Sequence, residues 1–250
     1  MNADNDPVPL EIAPELPEAE LRARFEQDGR LHVPAVLTEG AAERIHAHLL
    51  AQQDWDLVFR HAGRHRDLNY RDVHQWSRQD RDRLADLVAQ EARGGFQYCF
   101  ASVPIYDVWH RRMLPGHFFE EMFEFLNSPA WLDLIRRLTG ADDIDFADAQ
   151  ATRYAPGHFL TRHDDDVAGK QRRIAYVLNL TPRWQPDWGG TLVFHDGEGH
   201  LQRGFSPAWN ALNLFRVPQS HAVTCVAPFA PADRYAITGW CRAGTDPGPD

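Results

Sequence analysis

His163 and Asp165 carry the most chemical potential in this chain, at the end of Tyr154-Ala-Pro-Gly-His-Phe-Leu-Thr-Arg-His-Asp-Asp-Asp166. An apolar run ends here, and residues two apart on a strand share a face. The imidazole and the carboxylate therefore converge on one ion while Asp164 points away. Completed by a distant histidine, such a pair makes the facial arrangement that holds non-haem Fe(II) and leaves coordination positions open.

The triplet alone says little. With 13 histidines in the chain, a His-x-Asp arises by chance about once, and His65-Arg66-Asp67 is a second copy. It lies among Arg60, His61, Arg64 and Arg71 without apolar alternation, so it reads as a solvated, charged segment.

Three histidines in the second half compete to be the distal ligand. His195 and His200 flank Asp-Gly-Glu-Gly, which reads as a hairpin turn, and turn histidines are usually solvated. His221 opens the alternating stretch His-Ala-Val-Thr-Cys-Val, which fixes its ring inside a sheet. Thirteen residues later, Arg234 sits in Arg-Tyr-Ala-Ile-Thr-Gly-Trp240. A guanidinium on an apolar strand is costly to bury unless it meets an anion. A core aspartate and a dicarboxylic co-substrate both satisfy that need.

The elements that position these residues fall into two textures. Residues 1–17, with four prolines, read as a flexible arm. From Glu18 a short helix runs to the Asp28-Gly29 break, and 31–36 reads as a strand. Thr38 caps a helix that buries Ile45 and Leu49. Residues 52–80 are polar and read as an exposed, mobile region or a loop over a pocket. A helix over 81–93 stops at Gly94-Gly95, a strand follows at 96–103, and helices at 117–126 and 129–138 end at Gly140. Their aromatic residues read as packing against a sheet.

After residue 144 the pattern is all-β, with short segments near 145–154, 158–163, 173–181, 190–195, 208–217, 220–227 and 234–242. The fold class expected is α+β, mainly β: a double-stranded β-helix (jelly roll, cupin-like) braced by N-terminal helices. Residues 18–250 read as one domain, with helical support over 18–140 and the jelly-roll core over 144–242.

Composition narrows the function classes. A net charge of −10 argues against a surface built to hold nucleic acid. The longest apolar runs are too short to span a bilayer, and the acidic start lacks the features of an export signal. Cys99, Cys225 and Cys241 match no zinc or disulfide pattern, so reduced thiols in a cytoplasmic protein are expected.

Four ordered blocks carry a resemblance: Tyr154 to Asp165, Arg172-Arg-Ile-Ala-Tyr-Val-Leu178, Trp184 with Trp188-Gly-Gly-Thr-Leu192, and Ser206-Pro-Ala-Trp-Asn210 through His221 to Thr238. The chain resembles 2-oxoglutarate and Fe(II)-dependent dioxygenases of the prolyl-hydroxylase group, most of all the catalytic domain of ribosomal prolyl hydroxylases. The resemblance implies Fe(II), 2-oxoglutarate and O2, and admits ascorbate. It makes His163, Asp165 and His221 the metal ligands and Arg234 the partner of the distal 2-oxoglutarate carboxylate. Tyr154 and Thr238 would line the same pocket, with Trp240 near it. Where the group usually has a tyrosine, this chain has Asn179, whose shorter amide would make the co-substrate contact.

The implied activity is hydroxylation of a prolyl residue in a protein, such as a ribosomal or translation protein, with release of succinate and CO2. The alternatives are a hydroxylase of a free amino acid or small metabolite and a non-catalytic cupin-like binding module. Arg172 and Arg173 read either as facing a substrate or, the favoured reading, as solvated charges at a strand end.

Overall fold

The computed structural model describes residues 7–249. Residues 1–6, part of the expected arm, lie outside the described residues; from Leu10 onward the arm runs along the core. Ile12 bridges to Leu37, and Leu10, Ile12 and Leu16 pack against buried side chains.

The helices are α1 (Glu18–Asp28), α2 (Glu39–Ala51), α3 (Tyr70–Gln75), α4 (Arg78–Gly94), α5 (Ile105–His110), α6 (Phe118–Leu126) and α7 (Pro129–Thr139). Their ends follow local chemistry. The Ser128 hydroxyl accepts from the Trp131 N–H at the start of α7, Pro129 occupies its first turn, and Gly140 closes it at a φ of 70°. The buried faces of α6 and α7 press Phe119, Met122, Trp131 and Ile135 into one cluster with Tyr176, Ile237 and Cys241 of the sheet. Trp131 is fully buried, so truncating it to alanine costs about 3–5 kcal/mol. No helix among the described residues is long and apolar enough to cross a membrane.

Among the described residues, thirteen strands form one sheet. They are β1 (Arg30–Val33), β2 (Asp56–His61), β3 (Arg64–Asn69), β4 (Tyr98–Val103), β5 (Ile144–Ala147), β6 (Gln150–Tyr154), β7 (Phe159–His163), β8 (Arg172–Asn179), β9 (Leu192–His195), β10 (Leu201–Phe205), β11 (Ala211–Arg216), β12 (His221–Val223) and β13 (Arg234–Ala243). The order β1-β11-β8-β13-β6-β4 makes the helix-backed wall. Strand β4 then pairs with β6 through Ala101–Val103 and with β7 through Tyr98 and Cys99. The sheet turns at this point and returns through β7-β12-β9-β10 as the opposite wall of a cavity. A second cluster, including Phe100, Leu192, Phe194 and Phe215, fills the inside of this near-closed, jelly-roll-like barrel.

Alternation decides what each strand offers the interior. On β13, Arg234, Thr238 and Trp240 face the cavity while Ile237 and Cys241 face the helices. Gly239 is required between them: a Cβ there would lie 2.0 Å from the Asp148 carbonyl oxygen.

The largest departure from expectation is residues 52–80. They are not a mobile loop: β2 and β3 form a hairpin that extends the helix-backed wall, with β2 paired to β4 from Asp56↔Ser102 to Phe59↔Cys99. The expected 145–154 strand is interrupted at Asp148-Ala149, and α5 and β10 are additional elements.

Candidate active site

Strand β7 ends at His163, and β12 pairs against it so that His221 lies directly opposite His163. Asp165 reaches the site by a route the sequence did not indicate. It lies beyond the strand, at a φ of 65°, in the left-handed region that costs a non-glycine residue about 1–2 kcal/mol. Its Oδ1 is 3.3 Å from His163 Nε2 and its Oδ2 is 3.3 Å from His221 Nε2. The two rings are 4.1 Å apart by centroid, and one candidate ligand atom from each of the three residues lies within 4.8 Å of the others.

Tautomers follow from the backbone. His163 Nδ1 is 3.0 Å from the Thr161 carbonyl and His221 Nδ1 is 2.7 Å from the Gln219 carbonyl. In the neutral rings each Nδ1–H donates to its carbonyl, leaving both Nε2 lone pairs aimed at the carboxylate. Three acceptors then face one point with no proton between them, an arrangement that a bound cation satisfies. Burial alone would raise the Asp165 carboxyl; whenever the facing imidazoles carry a proton, the hydrogen bond from His163 and the charges of His221 and His163 outweigh burial and hold it below its ordinary range. Burial, then the charge of His163, pushes His221 down to about 4.

Arg234 lies opposite Tyr154 across the β13–β6 ladder and is 2% exposed. Its guanidinium is 5.1 Å from the centre of the Tyr154 ring, its Nη2 donates to Asn179 Oδ1 at 3.4 Å, and its buried Nε has no partner. Among the described residues no carboxylate is within ion-pair reach, so the core-aspartate alternative is absent. Burial lowers the guanidinium's pKa. Its stem fits because residue 190 is glycine: a Cβ there would lie 3.2 Å from Arg234 Cδ and 3.4 Å from the Trp184 ring.

These groups share one cavity of about 930 Å³, also lined by Tyr154, Thr238, Trp240 and Arg172. Asn179 does not line it. That side chain is 1% exposed, donating from Nδ2 to the carbonyls of Val177 and Ala211, and stands behind Arg234 instead of facing a ligand.

Arg172 is a second correction. Its guanidinium stacks 3.4 Å from the Trp240 ring centre, and Nη1 donates to the Asp165 carbonyl at 3.1 Å. The β13–β8 register slips between Ile174 and Arg172, and such a bulge re-aims a side chain. Arg173 behaves as expected, pairing at the surface with Asp143. His65 and Asp67, read as solvated, line the cavity mouth, where His65 Nδ1 is 2.7 Å from the Tyr98 hydroxyl. Phe96, whose ring is 5.2 Å from that of His163, also lines it. The His-x-Asp pattern at 65–67 did not place that pair at the cavity; strand pairing of β3 with β2 does, and no motif marked Phe96.

Residues 149–242 match the family model of the 2OG-Fe(II) oxygenase superfamily. Prolyl 3-hydroxylase OGFOD1 of Mus musculus is 35% identical over 117 residues, covering 44% of this chain and 21% of the mouse protein. The chain thus aligns with about a fifth of that relative's length. A prolyl-4-hydroxylase from Pseudomonas putida superposes with a TM-score of 0.57 at 17% identity, over 91% of this chain and 99% of the other. A prolyl hydroxylase from Trichoplax adhaerens, solved with a hypoxia inducible factor peptide fragment, gives 0.60 at 17% identity, over 90% and 89%. The two structures share the fold, and the family match covers the segment that supplies the triad and Arg234.

Proposed function

We propose that this protein, through the 2OG-Fe(II) oxygenase domain of residues 149–242, hydroxylates a prolyl residue of a protein or peptide. One observation carries the reading: a His-Asp-His cluster and a buried, uncompensated arginine share a cavity. His163, Asp165 and His221 would hold Fe(II), and Arg234 the distal carboxylate of 2-oxoglutarate, with Tyr154 and Thr238 against its chain. When bound, iron, 2-oxoglutarate and O2 supply the oxidising power for inserting one oxygen atom into a C–H bond, with succinate and CO2 released.

The chain's own residues prepare for that step. The Thr161 and Gln219 carbonyls orient the two imidazoles. Arg172 holds the backbone of Asp165, and Phe100, Leu192 and Phe215 line the cavity with apolar surface that excludes water.

Substrate size is read from the mouth. Phe96, Met113 and Val167 all line the cavity and are 40%, 53% and 45% exposed. An open rim with apolar side chains suits a peptide laid across it better than an enclosed metabolite. The mouse relative is named a prolyl 3-hydroxylase, and the Trichoplax enzyme was solved with a peptide. The ordered blocks shared with ribosomal prolyl hydroxylases extend the reading to a substrate from the translation apparatus. Free cysteines at 99, 225 and 241 support a reducing, cytoplasmic setting.

The test is turnover of 2-oxoglutarate to succinate with Fe(II), stimulated by a ribosomal-protein fraction, followed by peptide mass spectrometry. The expected result is a gain of one oxygen atom on proline. Stimulation by free amino acids but not by proteins would overturn the substrate reading.

A further inference from the structure

Two other arginines drawn into the protein meet carboxylates. Arg242, 6% exposed, has Nη1 3.6 Å from Asp148 Oδ2, and half-buried Arg153 pairs with Asp233 at 2.6 Å. Arg234 is the most buried of the three, and it meets an amide: Asn179 Oδ1 at 3.4 Å from Nη2.

The orientation of that amide is fixed by its surroundings. The Val177 and Ala211 carbonyls lie 3.4 and 3.2 Å from Nδ2 and accept only from an NH2, so the oxygen must be the end that faces the guanidinium. Asn179 itself is held at the end of β8, where it pairs with Ala211 of β11 and Ala236 of β13. A neutral acceptor orients the guanidinium's planar fork without cancelling its charge. A carboxylate at the same place would orient it and cancel the charge as well.

We propose that Asn179 is the positioning residue of the anion subsite: its neutral amide aims Arg234 from behind and leaves the positive charge free for the distal carboxylate of a dicarboxylic ligand. The inference rests on the co-substrate reading given above. It makes asparagine, and not aspartate, the residue type the site needs, because an aspartate would act as a built-in competitor for the incoming carboxylate.

The test compares two keto acids on the Zn(II)-loaded protein by ligand-observed NMR titration, which requires no turnover. 2-Oxoglutarate carries the distal carboxylate; 2-oxobutyrate presents the same keto-acid end without it. Asn179→Asp is expected to weaken 2-oxoglutarate more than tenfold and to leave 2-oxobutyrate within about twofold of the unsubstituted protein. Asn179→Ala, which removes the oxygen without adding charge, is expected to weaken 2-oxoglutarate several-fold, again selectively. A merely structural lesion would weaken both ligands together in both variants, and that result overturns the proposal. So does an Asn179→Asp protein that binds 2-oxoglutarate as tightly as the parent. Failure of the parent protein itself to bind 2-oxoglutarate above 2-oxobutyrate would remove the co-substrate reading first, and this inference with it.

Discussion

Two His-x-Asp segments, His65-Arg-Asp67 and His163-Asp-Asp165, line the same cavity, and only one of them assembles a cluster with a third ligand. The difference is in the backbone. His65 and Asp67 both lie within β3, where a strand rising about 3.3 Å per residue holds side chains two apart at nearly 7 Å. At the other copy the strand stops at His163 and the chain bends through a left-handed Asp165, which swings the carboxylate to 3.3 Å from the ring. Strand β12 then places His221 opposite. A regular strand keeps such a pair on one face but apart; the break after His163 is what closes it.

The contrast is broken or kept most directly by deleting each pair. His163→Ala and Asp165→Ala should each lower succinate formation by more than about 100-fold, with loss of bound iron measured on the same samples. His65→Ala and Asp67→Ala should stay within about threefold and retain iron. Equal losses from both copies would mean that the β3 pair participates in the metal centre and that the comparison is wrong. At the deep end of the cavity, Arg234→Ala should weaken 2-oxoglutarate by roughly two orders of magnitude, the range for losing one partner of a buried charge pair. Iron content should be unchanged, which separates the anion subsite from the triad.

A further substitution sharpens the comparison, because Asp165 has a brace. Arg172 stacks on Trp240 and donates to the Asp165 carbonyl. Arg172→Ala should cost about tenfold in iron affinity, within the range seen for residues that orient ligands. Arg172→Lys should fail to restore it, since an ammonium cannot stack as a planar guanidinium does. Full rescue by lysine would show that charge alone, and not the stack, holds the turn.

Much of this was legible in the sequence, for physical reasons. Binary patterning over 144–242 and the helix ends at Gly29 and Gly140 are local signals, so the jelly roll and its bracing helices could be read. Arg234 was legible because a cation on an apolar strand is conspicuous. The β2–β3 hairpin was not: the cavity-facing side chains of β3 are polar and its other residues mostly exposed, while β2 buries three apolar residues in a row, so neither strand alternates. Its one signal is the two-residue turn Ala62-Gly63, with φ values of 51° and 74°. Both lie in the left-handed region favoured by tight hairpins, but Ala62 stands where asparagine would have announced the turn. Arg172 was illegible because a slip in register has no sequence signature. Asn179 stands behind Arg234 and not beside a ligand, because spacing along β8 does not tell which of two neighbouring side chains stands in front.

The last effect is one of pH, and it separates His221 from His65 without any catalysis. Burial and the charge of His163 push His221 down to about 4 in the metal-free protein, whereas an unfolded histidine titrates near 6.5. Between those values the unfolded chain binds a proton that the folded chain refuses, so folding stability falls as pH drops through about 6.5 and the loss is complete near 4. At 1.36 kcal/mol per unit the full decline is on the order of 3–4 kcal/mol. His158, buried and likewise near 4, adds a similar decline of its own. Denaturant melts at pH 7 and pH 5 should therefore show a flatter dependence for His221→Gln than for the parent, while His65→Ala, at an exposed position, should retain the parent slope. An unchanged slope in His221→Gln would place that ring in water, and the contrast between the two histidine segments would lose its physical basis.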